Sequence, residues 1–291
     1  MSMISDSKKK PLKVNFVSKG GPHLASYRLR IASPAAYLRF SGVEVGIGGF
    51  DDLADCHVFS KHWDYGELEL ARKSSHPVFD VCDDHFTGPH ADYYRAMCAI
   101  CAVVTSSARL AQVIREQTGR EAEVIPEPWE LPEGSVKEPS DDPLILWFGH
   151  SANLATLRGL PALGRTMLCT NATGPGIVPY SLENLWKCLR QCDVVIIPQH
   201  KDWKSANRMV ESLRAGRFVV ASDIPAYRGF DQYLGDIAEG VEWVRRHSGA
   251  ITERIISGRN ALSSFHPEAV GKRWYDFISA VVTNASGDIK T

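Results

Sequence analysis

Short runs rich in Val, Ile and Phe alternate with amphipathic stretches along this chain, and the whole pattern occurs twice. KVNFV (13–17), VEVGIG (43–48), HVFSK (57–61), PVFDVC (77–82), AVVTSS (102–107) and EVIPEP (123–128) make the first series. LILWFG (144–149), TMLCT (166–170), DVVIIP (193–198) and RFVVAS (217–222) make the second. Runs that are apolar throughout read as strands buried on both faces, which is what a parallel sheet demands. Between them, SYRLRIASPAAYLRFSG, YYRAMCAIC, SARLAQVIREQTG and SLENLWKCLRQC carry apolar residues at helical spacing. Alternation of this kind implies an α/β chain with helices on both faces of a parallel sheet.

LPEGSVKEPSDDP (131–143) separates the two series; it is rich in Pro, Gly and acids and has no period. It reads as an interdomain linker. The expected organisation is an N-terminal domain over 1–135, a second domain over 136–265 and a terminal helix over 266–285. Each domain is expected to be a Rossmann-like, doubly wound sheet, the two facing across a cleft, with ligands at the carboxyl ends of the strands. In the terminal segment Val270, Trp274, Phe277, Ile278 and Val281 form one stripe that needs a partner.

Composition narrows the function classes. The net charge is −1, and no basic tail or stripe advertises nucleic acid. No apolar run approaches the roughly 18–20 residues that span a bilayer. MSMISDSKKKPLK lacks the apolar core of a signal peptide, so a cytoplasmic protein is expected, with its seven cysteines as thiols. Cys98 and Cys101 make a CxxC inside the apolar run AMCAICAVV with no matching second pair, which points to core packing and to no metal. GxGxxG after the first strand, GxxxxGK[ST] and GxSxG are all absent, which removes the dinucleotide fingerprint, the phosphate loop and the esterase elbow.

The densest chemistry follows DVVIIP, in KDWKSANRMVESLRAGRFVVASDIPAY (201–227). Ser205 reads as the N-cap of a helix, whose free amides and dipole suit an anion. Lys204 and Arg208 add formal positive charge beside Asn207, and Glu211, about one turn on, offers a carboxylate to a pair of ribose hydroxyls. A nucleoside diphosphate satisfies all of these groups together. Gly20 and Gly21, after the first strand, suit a close backbone approach to a sugar phosphate. Asp83, Asp84 and His85 form a titratable cluster at another strand end, able to serve as a general base or to hold the sugar. Arg28 and Arg30 read as arginines near the same rim, either inert at the surface or in contact with phosphate or acceptor.

These motifs, in this order, resemble the two-domain nucleotide-sugar glycosyltransferases of the GT-B fold, in particular the glycogen-synthase-like retaining group. MVESLRAGRFVVASDIP resembles that group's hhEAMAxGxPVVAS block, with Glu211 on its ribose-binding glutamate. SYRLRIASPAAYL after Gly20-Gly21, PVFDVCDDHF and VVTSSARLAQVI…AEVIPEPWELP resemble its N-terminal blocks. LILWFGH resembles the strand that opens the donor domain and puts Gly149 and His150 beside the donor. There are departures. The group often has a glutamate where Trp203 stands, an arginine at His150 and a lysine at Ala155, so Lys204 and Arg208 are the local substitutes for its phosphate cations.

The resemblance implies transfer of a sugar from a nucleotide-diphosphate sugar to an acceptor hydroxyl with retention of configuration, Lys204 and Arg208 supporting the leaving group, no other cofactor being required, and the helix over 266–285 crossing back to the N-terminal domain. The acceptor expected is a glycan or small molecule. The alternatives are a viral-type glucosyltransferase for hydroxymethylated DNA bases, with Lys61, His62 and Trp63 in its cleft, and a catalytically lapsed sugar-nucleotide-binding module.

Overall fold

The computed structural model describes residues 10–60 and 64–284. Lys61, His62 and Trp63 lie outside the described residues. The chain forms two compact units, one from Met1–Val104, Ile114–Glu123 and Gly271–Thr291, the other from Thr105–Val113 and Val124–Val270.

The first unit is built on the strands β1 (Lys13–Val17), β2 (Glu44–Gly48), β3 (Cys56–Ser60), β4 (Pro77–Val81), β5 (Ala102–Thr105) and β6 (Ala122–Val124), in the order β2-β1-β3-β4-β5-β6. β1 runs parallel to both β2 and β3, so the order of the sheet reverses at β1. All five residues of β3 are buried, His57 and Ser60 among them, as a strand covered on both faces must be.

The helix after β1 starts at Ala25, widens to a π-helical turn over Arg28–Ala32 and ends at Phe40. That turn carries Arg30 inward. The sequence reading took Arg30 for a surface arginine; in the structure it is fully buried and paired with the equally buried Asp80 of β4. Arg30 donates to Asp80 Oδ1 from Nε at 3.1 Å and from Nη2 at 2.6 Å, and the Ser60 hydroxyl donates to Oδ2 at 2.8 Å. The guanidinium also lies 5.0 Å from the ring centre of Trp274. The signal was Asp80, a carboxylate inside the apolar run PVFDV, because a buried acid needs a buried cation. Arg28 is partly exposed and donates to the Pro22 carbonyl.

Trp274 belongs to the terminal helix Pro267–Asn284, and its ring meets Phe16 of β1 at 6.1 Å. Trp274 and Ile278 are fully buried. Gly271 of the same helix lies against the Tyr37 side chain so closely that a Cβ has no room there.

The second unit holds β7 (Ile145–Phe148), β8 (Thr166–Thr170), β9 (Ile177–Pro179), β10 (Val194–Ile197), β11 (Phe218–Ala221) and β12 (Tyr233–Leu234). Their order is β12-β11-β10-β7-β8-β9, and every neighbouring pair is parallel. Alternate strand residues feed two cores. Ile145, Trp147, Val194, Ile196, Phe218 and Val220 pack with Ile237, Val241 and Val244. Leu146, Val195, Ile197 and Val219 pack with Leu185, Leu189, Met209 and Leu213 on the other face.

The segment read as a linker is docked onto this unit. Gly134 N donates to Arg214 O, Lys137 N to Gly216 O, and Lys137 Nζ pairs with Asp193 at 2.8 Å. Gly216, at φ 78°, ends the helix Asn207–Arg214 with its Cα against the Ser135 carbonyl, a place only glycine can fill. All seven cysteines are free thiols, Cys98 and Cys101 among the buried ones. Among the described residues, no helix is long and apolar enough to cross a membrane.

Candidate functional site

In the second sheet the chain enters at β7, adds β8 and β9 on one side, and returns to add β10, β11 and β12 on the other. The carboxyl ends of β7 and β10 therefore flank the point where the order reverses, the place where open parallel sheets bind ligands. The residues that follow those strands are Gly149-His150 and the loop Gln199–Ala206.

That loop is held at almost every residue. Gln199 Oε1 accepts from the amides of His200 and Lys201 at 3.0 and 3.1 Å, and Gln199 N donates to Ser222 Oγ at 2.9 Å. Asp202 pairs with Arg109 at 2.8 Å. The Ser107 hydroxyl donates to the Trp203 carbonyl at 2.7 Å. The Trp203 ring, only 9% exposed, has Lys204 Nζ 4.4 Å and Lys201 Nζ 5.3 Å from its centre.

The sequence expectation that Ser205 caps the following helix is corrected by the structure. The helix Asn207–Arg214 has Ala206 at its N-cap with no side-chain cap bond, and the Ser205 hydroxyl donates instead to the Glu127 carboxylate. A serine with a buried carboxylate in reach makes the charge-assisted bond in preference to the cap. The first-turn amides are thus left without a capping side chain, at the positive end of the helix.

Arg208, in that first turn, reaches the end of β7: its Nη1 donates to the Phe148 carbonyl at 3.4 Å and stands 3.7 Å from where a Cβ on Gly149 would be. It also approaches the buried Tyr227 hydroxyl; burial raises the pKa of that phenol, and Arg208 opposes the rise. His150 is exposed; its Nδ1 accepts from Ala152 N at 3.2 Å and its Nε2 lies 3.3 Å from Asn171 Nδ2. The structure thus brings Gly149 and Arg208 together. Asn207 is half-buried in the same first turn.

Glu211 is 3% exposed, and its two oxygens accept from the amides of Glu130 and Leu131 at 2.7 and 3.2 Å. It ties the segment after β6 to the helix.

The other candidates lie in the first unit. Gly20 and Gly21 follow β1, at that sheet's own reversal; Gly20 N donates to Ser18 Oγ and Leu24 N to the Gly21 carbonyl. Asp83, Asp84 and His85 follow β4. Asp84 Oδ1 accepts from Phe86 N at 3.0 Å, a local turn. The His85 ring stacks at a tilt 5.0 Å from that of Tyr94, whose phenol is pushed well above its usual range by burial first and by Cys82 and Asp83 after that. An open hollow of about 600 Å³ beside Val103, Arg120, Glu123 and Phe277 contains none of these groups.

No family model matches this chain, and no curated protein matches it in sequence. Solved structures do match its backbone. Sucrose-phosphate synthase from Thermosynechococcus elongatus superposes with a TM-score of 0.70 at 10% identity, covering 94% of this chain and 100% of that one. Anabaena HepE, solved with UDP and glucose, gives a TM-score of 0.68 at 12% identity, covering 92% of this chain and all of that one. The chain has the GT-B fold. A third GT-B neighbour is an α-glucosyltransferase solved with UDP and a 13-mer DNA containing an HMU base, with a TM-score of 0.64 at 8% identity over 94% of this chain and 100% of that one. One of these neighbours is a glucosyltransferase and one a synthase, and HepE and the α-glucosyltransferase were each solved with UDP.

Proposed function

We propose that this protein is a glycosyltransferase that moves a sugar from a nucleotide-diphosphate sugar to an acceptor hydroxyl. The observation that carries the reading is Arg208. A guanidinium in the first turn of a helix with no capping side chain reaches the strand end where the second sheet reverses, beside Gly149. Positive charge, open amides and a glycine strand end converge there on one anion site.

In this reading the diphosphate lies against the amides of Ala206–Arg208, with Arg208 and Lys204 opposing the charge that grows on the leaving group. Electrostatic support of that kind is usually the largest single contribution to catalysis. The ribose lies toward Glu211 and the base toward Gly149 and His150. Transfer retains configuration, the departing phosphate taking the acceptor proton. Asp83, Asp84 and His85 then orient the sugar or acceptor, and Gly20 and Gly21 allow its close approach. Losing the best of those three side chains should slow transfer by a positioning-sized factor of about 10²–10³.

A panel of nucleoside diphosphates titrated by calorimetry tests the donor site, and absence of binding to all of them would end this reading. Turnover with the matching nucleotide sugar separates an enzyme from a lapsed binding module, which binds and neither transfers nor hydrolyses. The anomeric coupling of the product by NMR decides stereochemistry; an inverted product would make one of Asp83, Asp84 and His85 the base. The DNA-bound neighbour favours a second acceptor reading, so a hydroxymethylated oligonucleotide belongs in the acceptor panel beside glycans.

A further inference from the structure

We infer that His150 and Asn171 form a two-donor seat that takes one acceptor oxygen of the donor nucleotide. This rests on the donor-site reading above and adds Asn171 to it, a residue that no motif marks.

Backbone amides orient both side chains, and the two orientations forbid a bond between them. His150 Nδ1 accepts from the Ala152 amide at 3.2 Å, so that nitrogen has no proton and the ring hydrogen sits on Nε2. Asn171 Oδ1 accepts from the Ser151 amide at 2.7 Å and from the Thr170 hydroxyl at 3.5 Å, which leaves Nδ2 and its two hydrogens beside the ring. Nε2 and Nδ2 are 3.3 Å apart, and each is a donor. Among the described residues neither has an acceptor. Both side chains are exposed, so a ligand can reach them.

The pair stands on the rim of the proposed donor site. β7 and β8 run in parallel with Phe148 beside Cys169, and Gly149 N donates to the Cys169 carbonyl at 3.1 Å. His150 and Asn171 follow directly, one after each strand end, next to the glycine that Arg208 approaches. A single oxygen within reach of both nitrogens turns two opposed donors into two hydrogen bonds. An amino group brings a third donor and leaves the protein's hydrogens unpaired, which is how a site built for an oxygen rejects the amino analogue. A nucleoside diphosphate offers such an oxygen in two places, an exocyclic carbonyl of the base and a phosphate. Uracil has a carbonyl where cytosine has an amine, and guanine one where adenine has an amine.

Calorimetric titration of the full chain with UDP, CDP, GDP, ADP and inorganic pyrophosphate tests the seat and identifies the oxygen. Asn171→Ala should weaken the preferred nucleotide about fivefold. So should His150→Ser, whose hydroxyl still caps the Ala152 amide. The double variant should lose little more than either, since one oxygen serves both donors. If the oxygen is the carbonyl that distinguishes the bases, the wild type prefers UDP to CDP or GDP to ADP, and the loss falls on the preferred partner alone. If it is the carbonyl shared by uracil and cytosine, UDP and CDP weaken and pyrophosphate does not. If it is a phosphate oxygen, pyrophosphate weakens with the nucleotides. Asn171→Asp keeps the acceptor for Ser151 and puts a carboxylate where the donor stood, so it should weaken binding more than Asn171→Ala. Wild-type affinity in Asn171→Asp would reduce Asn171 to a tie between loops and overturn the inference. Unchanged affinities in both Asn171→Ala and His150→Ser would also overturn it and leave the donor site standing. A wild type that binds none of these ligands would overturn both.

Discussion

Glu211, placed in the proposed donor site, also serves the fold. Its buried carboxylate takes two backbone amides, of Glu130 and Leu131. Glu211→Ala leaves both without an acceptor, and a buried unsatisfied amide costs about 1–3 kcal/mol. The alanine variant should therefore lose stability as well as nucleotide affinity, while Glu211→Gln, which keeps one acceptor oxygen, should lose less of both. Urea midpoints of the two variants check this; a Glu211→Ala midpoint equal to wild type would remove the tie. His57 makes a second residue-scale case. Its Nε2 meets the Asp51 carbonyl at 2.9 Å, so that nitrogen carries the proton, and Nδ1 accepts from the Ser74 hydroxyl at 2.8 Å. The ring is neutral and stacked on Phe50, and burial lowers its pKa below the ordinary value, against smaller opposing effects from Asp51 and Asp52. In the unfolded chain the ring takes a proton near pH 6.5, roughly the free value. Below that the unfolded state binds more protons, so stability is full above about pH 6.5 and falls as pH drops toward the folded value. Denaturant midpoints at pH 7.5 and 5.5 should show this loss, and His57→Gln should flatten it.

Between elements, the Arg30–Asp80 pair joins the π-helical turn to β4, with Ser60 of β3 and the Trp274 ring completing its surroundings. Removing one partner of a buried pair leaves an uncompensated charge, so Arg30→Met or Asp80→Leu alone should cost about 3–5 kcal/mol. The double variant should recover most of that loss. Calorimetric unfolding of the three variants decides it: single variants near wild type would show the pair to be dispensable. The strands of both sheets were legible because strands covered on both faces need continuous apolar runs, and KVNFV, LILWFG and DVVIIP are such runs. β9 and β12 were not, since Ile177–Pro179 and Tyr233–Leu234 are too short to carry a pattern. The helix Tyr65–Lys73 hid behind its charges. At the site, the loop after β10 and its cations could be read from the strand end. The cap could not, because Ser205 turns to Glu127, a partner 78 residues away. The docking of 131–143 was equally hidden: Pro, Gly and acidic residues mark irregular backbone but do not say what it lies on.

At the scale of the molecule, neither unit is one continuous stretch of chain. The first is assembled from three stretches, the last of which begins at Gly271, and it encloses almost all of the second in sequence. Phe16, Tyr37 and Arg30 near the start all meet residues of the final helix. This has a consequence for biosynthesis. Domains commonly fold in the order in which they leave the ribosome. Here the part made first has no Trp274 to cover β1 until all of the second unit has been synthesised, whereas the second unit has all its strands by Leu234. The unit encoded later should mature earlier. Nascent chains arrested soon after Val270 has emerged from the ribosome should already protect β7, β10 and β11 from protease, while β1 gains protection only once Trp274 is outside; early protection of β1 would refute this order. Until that moment the apolar face of β1 is a sticky intermediate, so slowing translation over the codons for Pro267–Asn284 should raise the demand for chaperones rather than relieve it.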